Sequence, residues 1–490
     1  MANYLKRNVL NSIKWTSLVT LLNTIIQPFY RILLAALLLP TEFSYIAVII
    51  LIVSFAELLN NIGIGEALIQ KDHEEVTTKD LSTLFFFNVI VAFIISIILF
   101  FNSGLIENFY NLPDLSLMIK LITPIVFLSG VTSIFKFYLH KKFKFRETSI
   151  IKMIKIVTEV LISIFLITIG LNVWGFVWGI IVANISNAIL LPIMAFIKTD
   201  FKIRFYFSFN SLKNYMNFGI FVSLKKVITF ISQRIDEIII GGVLSAEVLG
   251  LYFLAKNLLV QLQTLITTSF GQVLLPAFSS VKSDRKKQKD MYLLIVSILF
   301  FVGTPIFTLL ILSAELFVPL VFGDEWKESA EIFQWLSLPT FCLVLSAGVT
   351  TSILYSQAKT FVVLLIDLAL VPLYIVALFL FNYNDLHNIM TIYIAYILIK
   401  FLVIQLIISQ VLQLNLKDYI RIIRGTLFSG VSTYLFLYIF LKVPINVNDY
   451  VYLISFLIIG IVLYLTLNWF LNKSKFKNYY SIFRKIIKSS

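Results

Sequence analysis

Fourteen apolar segments, each long enough to cross a bilayer, follow one another along this 490-residue chain. A spanning helix needs about 20 mostly apolar residues. Because lipid offers the backbone no hydrogen-bond partner, such segments form helices. The predicted fold class is an all-α integral membrane protein of 14 transmembrane helices, with spans at residues 14–38, 41–62, 81–101, 117–139, 151–170, 173–197, 215–243, 247–275, 291–318, 331–354, 360–381, 386–411, 424–442 and 448–471.

The charges between these segments fall on alternate sides. If the first span starts in the cytoplasm, 30 lysines and arginines lie on the cytoplasmic side, with Lys327 and Lys442 opposite them. Positive residues resist translocation, so both termini are predicted to be cytoplasmic. The formal net charge of +14 is explained by these topology signals beside anionic lipids, and no nucleic-acid partner is expected.

Cysteine and histidine, the residues most often used in metal sites, are rare in the chain. Its single cysteine, Cys342, allows neither an internal disulfide nor a CxxC metal site, and its three histidines lie far apart. No GxxxxGK[ST] nucleotide loop is present. We therefore expect no metal and no cofactor, and we do not expect an enzyme.

Several charged and polar residues lie inside the predicted spans. A charge at the centre of a membrane helix costs about 2.5–3.5 kcal/mol on insertion scales, so such residues should face a bundle interior or a watery cavity. Helical spacing supports an inward face, because residues three or four apart lie above one another. The first span carries Asn23, Gln27 and Arg31 in one stripe, and the seventh and eighth carry comparable stripes.

These stripes supply the candidate site. A hydrated cavity with cationic walls attracts an anion such as the diphosphate of a lipid-linked sugar, or an acidic sugar. The candidate cationic contacts are Arg31, Lys225, Lys226, Arg234, Lys256 and Lys400. The candidate polar cavity residues are Asn23, Gln27, Gln233, Asn257 and Gln261, and the acids that balance charge or couple an ion are Glu57, Asp236, Glu237 and Asp367.

A structural alternative applies to every stripe, because membrane bundles also use polar residues for hydrogen bonds and ion pairs between helices. Arg31 with Glu57, and Arg234 with Asp236 or Glu237, are plausible pairs of this kind. Lys120 and Lys136 lie near span ends, and both are predicted to snorkel to the headgroups.

The two halves of the chain resemble each other at an offset of 206 residues, which predicts a parallel repeat of six helices each. The predicted division is 1–213 for an N-terminal lobe, 214–412 for a C-terminal lobe, and 413–490 for two further helices and a basic cytoplasmic tail. The segment 63–80 mixes apolar and charged residues, and is predicted to be an amphipathic connector along the inner membrane surface.

Five loose motifs at helix ends and turns carry a similarity to a known family. They are GIGEALIQK at 63–71, DLSTLFFFN at 80–88, KKFKFRE at 141–147, RIDEIIIGGVLSAEVLGLY at 234–252 and FGDEWKESAEIF at 322–333. Together they resemble the polysaccharide flippases of the multidrug/oligosaccharidyl-lipid/polysaccharide exporter superfamily.

The resemblance implies two six-helix lobes that move an undecaprenyl-diphosphate-linked oligosaccharide across the bacterial cytoplasmic membrane by alternating access. The implied partners are the lipid-linked oligosaccharide, anionic membrane lipids, H⁺ or Na⁺, and a polysaccharide polymerase or export machinery. A peptidoglycan-precursor flippase and a multidrug or cation exporter are alternatives within the superfamily. A membrane glycan polymerase or transferase is the alternative from a different class.

Overall fold

The computed structural model describes residues 2–61, 63–71, 76–346, 349–357, 359–381, 384–443 and 447–473. The chain divides into two compact units, Met1–Phe253 and Leu254–Ser490, called here the N-terminal unit and the C-terminal unit. The boundary between them falls within one long helix. The division at 1–213, 214–412 and 413–490 stays a prediction, and the predicted basic tail beyond residue 473 lies outside the described residues.

The N-terminal unit contains the first eight helices and the start of the ninth. They are α1 (Ala2–Leu37), α2 (Pro40–Asn60), α3 (Ile64–Gln70), α4 (Thr78–Tyr110), α5 (Leu115–Lys141), α6 (Phe145–Leu166, continued by a π-helical turn at Ile167–Leu171), α7 (Val173–Lys198), α8 (Phe209–Val243) and α9 (Ala246–Ser280).

The C-terminal unit contains the rest of α9 and seven more helices. They are α10 (Arg285–Phe322), α11 (Ser329–Ser346), α12 (Val349–Ser356), α13 (Thr360–Leu380), α14 (Leu386–Leu412), α15 (Leu416–Leu441) and α16 (Asp449–Leu471), with a short 3₁₀ turn at Asp324–Trp326. No strand occurs among the residues that the structure describes, so the all-α prediction is confirmed.

Thirteen helices in the described ranges are long and apolar enough to cross a membrane. The predicted seventh span, 215–243, lies in α8, which is a continuous helix but is not one of these thirteen. Its composition differs because it carries several charged residues, among them Lys225, Lys226 and Arg234. The predicted tenth span, 331–354, corresponds to α11 and α12, with residues 347 and 348 outside the described ranges.

The connector after α2 packs partly against protein. Ile64 and Leu68 of α3 are buried in an apolar core with residues of α4, α5, α7 and α8. Part of the apolar surface of α3 thus packs against protein, whereas Ile69 is 43% exposed, and the position of this segment along the inner membrane surface stays a prediction. Residues 72–75 of this segment lie outside the described part of the chain.

The start of α4 also holds the start of α8. Thr77 and Asp80 form a reciprocal capping box at the N-terminus of α4, in which each side chain accepts from the other's backbone N–H. The second carboxylate oxygen of Asp80 accepts a hydrogen bond from Ser211 in the first turn of α8. One residue before α8, the backbone N–H of Ser208 donates to Thr83 at 3.2 Å. The first turn of α8 is thus fixed to α4 at two points.

Candidate substrate cavity

A cavity of about 1120 Å³ lies inside the N-terminal unit. Its lining comes from five spanning helices, α1, α2, α5, α6 and α7, and from α8. On α2, α5 and α7 the lining residues lie toward the C-terminal end, whereas on α6 they lie in the N-terminal half. Consecutive helices run in opposite directions, so the cavity occupies one end of the unit, and this is the end predicted to be cytoplasmic.

One part of the wall consists of amide and hydroxyl side chains. They come from α1, α2, α5 and α7, where three- and four-residue spacing aligns them on one helix face. The members are Thr16, Thr20, Asn23, Ser54, Asn60, Asn61, Ser129, Thr132, Ser133, Asn184 and Asn187. Such groups can donate and accept hydrogen bonds, as sugar hydroxyls require.

A second part of the wall is cationic. On α5, Lys136 follows Ser133 by three residues, and on α6 Lys152 and Lys155 follow Thr148 at the same kind of spacing. From α8, Lys225 and Lys226 complete the set. These five lysines share the described lining with one carboxylate, Glu57 of α2, and with His140.

The lysines act on one another through the cavity. Lys136 interacts electrostatically with Lys155 and Lys226, which repel it, and with Glu57 and Glu66, which attract it. Lys152 is repelled by Lys136 and Lys155. The Lys226 Nζ forms a close ion pair with the Glu66 Oε1 of α3, at 2.6 Å. The wall therefore keeps a positive excess, which a bound anion would reduce.

Two of the six predicted cationic contacts, Lys225 and Lys226, line this cavity. Arg234 is bound instead to Glu237, three residues further along α8, at 2.8 Å. Arg31 is 7% exposed and lies within 6 Å of the rings of Tyr30 and Phe176.

The predicted pair between Arg31 and Glu57 is not among the ion pairs of the described residues. Glu57 lines the cavity, and the acid whose charge attracts Arg31 is Glu159. The pair of Arg234 with Glu237 is confirmed.

The remaining two predicted cations belong to the C-terminal unit. Lys256 is 5% exposed, and its ammonium lies 5.3 Å from the ring centroid of Tyr393. Lys400 forms an ion pair of 2.7 Å with Asp367 of α13 and lies beside Tyr396. Lys256 is thus buried, and Lys400, with a side chain 21% exposed, is half-buried beside its carboxylate partner.

The predicted polar and acidic residues divide in the same way. Asn23, Gln233 and Glu57 line the cavity, whereas the half-buried Gln27 is not one of the described lining residues. Asp236 is fully buried and accepts a hydrogen bond from Tyr252. In the C-terminal unit, Gln261 donates to Asn257 one turn earlier on α9. The roles proposed for these side chains stay predictions.

Sequence reasoning missed Lys136, Lys152 and Lys155. Lys136 was assigned to snorkelling because it lies near a span end, yet it lines the cavity. Lys152 and Lys155 are among the 30 predicted cytoplasmic cations although they fall at the start of the predicted span 151–170; α6 begins at Phe145, so both lie well inside the helix and line the cavity. The spacing of Ser129, Ser133 and Lys136 on α5, and of Thr148, Lys152 and Lys155 on α6, was the available signal.

Comparison with known proteins identifies relatives of this chain. Residues 33–331, more than half of it, match a family model described as polysaccharide biosynthesis protein. The teichuronic acid biosynthesis protein TuaB of Bacillus subtilis (strain 168) is 24% identical, covering 85% of each chain. The lipopolysaccharide biosynthesis protein WzxC of Escherichia coli (strain K12) is 23% identical, covering 68% of this chain and 67% of that one.

A solved structure shares the fold. It is the lipid II flippase MurJ in an inward closed conformation, with a TM-score of 0.73, 15% sequence identity, and coverage of 94% of this chain and 98% of that one. The helical membrane architecture, the extent of the family match and the two relatives agree with the resemblance noted from the motifs. This chain is a multi-pass membrane protein that belongs to the polysaccharide biosynthesis protein family.

Proposed function

We propose that the protein is a flippase that carries an undecaprenyl-diphosphate-linked oligosaccharide across the bacterial cytoplasmic membrane for surface polysaccharide assembly. The observation that carries this proposal is the cavity of the N-terminal unit, whose described wall holds five lysines and one carboxylate. A cation-rich, partly desolvated cavity favours an anionic ligand, because charges interact more strongly there than in water.

The two kinds of wall match the two parts of such a headgroup. The lysines are compact point charges suited to phosphate oxygens, and the amide and hydroxyl wall offers hydrogen bonds to sugars. The cavity volume of about 1120 Å³ exceeds the range of roughly 300–1,000 Å³ that is usual for small-molecule pockets. A headgroup larger than a single small molecule is the expected ligand.

Transport in this proposal follows alternating access, with the termini and the described cavity on the cytoplasmic side. The driving force is a coupled ion, H⁺ or Na⁺, or the membrane potential, since each charge moved through 100 mV is worth about 2.3 kcal/mol. A polysaccharide polymerase or export machinery would receive the product outside, and anionic lipids would surround the cationic loops.

Two transporter alternatives make different demands on the cavity. A peptidoglycan-precursor flippase would also need cations for a diphosphate, so the lysines do not distinguish it. A multidrug or cation exporter would need acids on the wall, and the lysine excess favours an anion instead. A glycan polymerase or transferase would need acid and base groups arranged around a reacting bond.

The experiment that tests the proposal is transport of a fluorescent undecaprenyl-diphosphate oligosaccharide by the purified protein in liposomes, read as loss of signal to a membrane-impermeant quencher. We expect transport by the wild type and at least a tenfold slower rate for the double variant Lys225→Gln, Lys226→Gln. Lys120→Gln, an exposed lysine on α5 that does not line the described cavity wall, is the matched control.

Wild-type protein that leaves the lipid-linked glycan in its original leaflet would contradict the proposal. Equal rates for an acidic surface-polysaccharide precursor and for a labelled peptidoglycan precursor would indicate a flippase of broad specificity that carries both. A marked preference for the peptidoglycan precursor would replace the proposed substrate with that one.

A further inference from the structure

We propose that Glu66 is a built-in counterion that occupies Lys226 until the anionic part of the substrate displaces it. This inference rests on the proposed function of the cavity and assigns a positioning role to a residue outside its wall. Lys226 lines the cavity, and its ammonium is 2.6 Å from Glu66 Oε1. Glu66 itself lies on α3, behind the described lining.

Glu66 is held rigidly. Its helix, α3, is anchored by buried Ile64 and Leu68, and the Lys141 ammonium donates to the Leu68 carbonyl at 2.8 Å and also to that of Lys71. These contacts hold both sides of the turn that carries Glu66. When the ion pair breaks, the backbone that carries Glu66 therefore stays in place.

The backbone at the start of α3 is equally constrained. Gly63 has φ +62°, and a Cβ there would come within 2.1 Å of the Gly219 carbonyl oxygen of α8. A Cβ at Gly65 would meet the ring of Phe137 at 2.2 Å. Only glycine permits this close approach of α3 to α5 and α8, which brings Glu66 within reach of Lys226.

Lys226 is the mobile partner. The two side chains are equally exposed, at 34% for Lys226 and 33% for Glu66, but Lys226 has the longer, flexible four-carbon stem, so its ammonium can turn toward a ligand in the cavity while the backbone of α3 stays in place. Lys136 is repelled by both Lys155 and Lys226 across the same cavity. A phosphate entering there gains attraction from Lys226 only by competing with Glu66.

The pair is also poorly completed on the acid side. Oε2 of Glu66 is buried and has no hydrogen-bond partner among the described residues, so Lys226 provides the one close polar contact of this carboxylate. A pair satisfied at a single oxygen is weaker than one with every lone pair bonded. Such a counterion can neutralise Lys226 while the cavity is empty. A bound anion can still take its place.

The test is calorimetric binding of inorganic pyrophosphate to the purified full-length protein. Because Glu66→Gln removes the competing charge and keeps the side-chain shape, we expect pyrophosphate to bind about tenfold tighter than to wild type. Lys226→Gln should weaken binding. In the Lys226→Gln background, adding Glu66→Gln should change the affinity less than twofold, because there is then no Lys226 ammonium for the Glu66 carboxylate to withhold from pyrophosphate.

Glu57→Gln is the matched control, since it removes one negative charge from the cavity wall itself. Its effect should be the same with and without Lys226. Glu66→Asp, which draws the carboxylate back by one methylene, should tighten binding by a smaller factor than Glu66→Gln. This variant supplies a second measurement if the glutamine variant does not fold.

The outcomes separate this inference from the proposed function. Unchanged or weaker pyrophosphate binding by folded Glu66→Gln, in a protein whose wild type binds pyrophosphate and transports, overturns the counterion role alone. A Glu66→Gln effect that persists in full without Lys226 also overturns it. Wild-type protein that neither binds pyrophosphate nor transports the lipid-linked glycan overturns both.

Discussion

The lysines of the two units occupy opposite environments although the sequence presents them alike. In the N-terminal unit, Lys225 and Lys226 line a cavity together with three further lysines. In the C-terminal unit, Lys400 is bound to Asp367 and Lys256 is buried beside Tyr393. A lysine on an inward helix face can therefore line a cavity or pack against other protein groups. The residues on the neighbouring helices determine which of the two occurs.

This difference in environment suggests different roles for the lysines of the two units. A lysine with a buried carboxylate partner has already offset its desolvation within the protein. Lys136, Lys152 and Lys155 repel one another across a cavity, and they favour a ligand of opposite charge. We therefore propose substrate contact in the N-terminal unit and a structural role for the lysines of the C-terminal one. Four measurements test this contrast.

The largest expected effect comes from breaking the pair in the C-terminal unit. Asp367→Asn leaves the half-buried Lys400 ammonium without its carboxylate, and breaking a fully buried pair costs about 3–5 kcal/mol, which is the upper bound here. We expect little folded protein by fluorescence-detected size exclusion after heating. The double variant Asp367→Asn, Lys400→Met should recover folding and transport. A stable Asp367→Asn protein that has lost transport would instead indicate ion coupling at this carboxylate.

The next effect concerns the cavity wall of α6. Lys152→Gln with Lys155→Gln removes two of the five described cavity lysines, so transport should fall about tenfold, corresponding to roughly 1.4 kcal/mol. Thermal stability should stay the same or rise, because mutual repulsion is relieved. The measurement is the liposome transport rate beside the melting temperature. Loss of stability without loss of specific transport would contradict the functional role.

A smaller effect separates two lysines of a single helix. Lys136 lines the cavity and Lys120, also exposed, lies toward the other end of α5. Lys136→Gln should weaken pyrophosphate binding about threefold to tenfold, and Lys120→Gln should leave it unchanged. Equal effects of the two substitutions would show that net charge, and not position in the cavity, governs binding.

The smallest expected effect is that of salt. The Debye length falls from about 10 Å at 0.1 M to about 3 Å at 1 M ionic strength. Pyrophosphate affinity should therefore decrease a few-fold over this range in an open cavity. The stability that Lys400 and Asp367 contribute, measured by the double-mutant cycle, should change much less because both groups are shielded from solvent. Equal salt sensitivity would remove the distinction between the two environments.

The helices were predictable because a bilayer leaves few choices to an apolar chain. The predicted span 81–101 lies inside α4 (Thr78–Tyr110), and the helix extends beyond it because Thr77 and Asp80 cap its start. Charge pairs close in sequence were also predictable, as Arg234 with Glu237 shows. The polar stripes on α1 and α8 include Asn23 and Gln233, which line the cavity, but also Gln27 and Arg31, which are not among its described lining residues.

The rest depended on contacts between distant residues. Lys400 and Asp367 lie on different helices, and nothing in their local spacing pairs them. Lys152 and Lys155 lie at the start of the predicted span 151–170 and were grouped with the cytoplasmic cations, because sequence alone does not show that this end of α6 faces a cavity. Glu66 was read as part of a surface connector, since only the burial of α3 brings it to Lys226.

The attachment of the first turn of α8 to α4 sets how that helix can move. The hydrogen bonds of Ser208 and Ser211 fix its base, and the contact of Gly63 with Gly219 restrains it again further along. The far end of α8 is held as well, because Gly241 and Gly242 lie against the rings of Tyr110 and Phe109 at the C-terminal end of α4. The stretch between these two anchors carries Lys225 and Gln233, so bending of α8 between its fixed ends would change the shape of the hollow where these side chains line it.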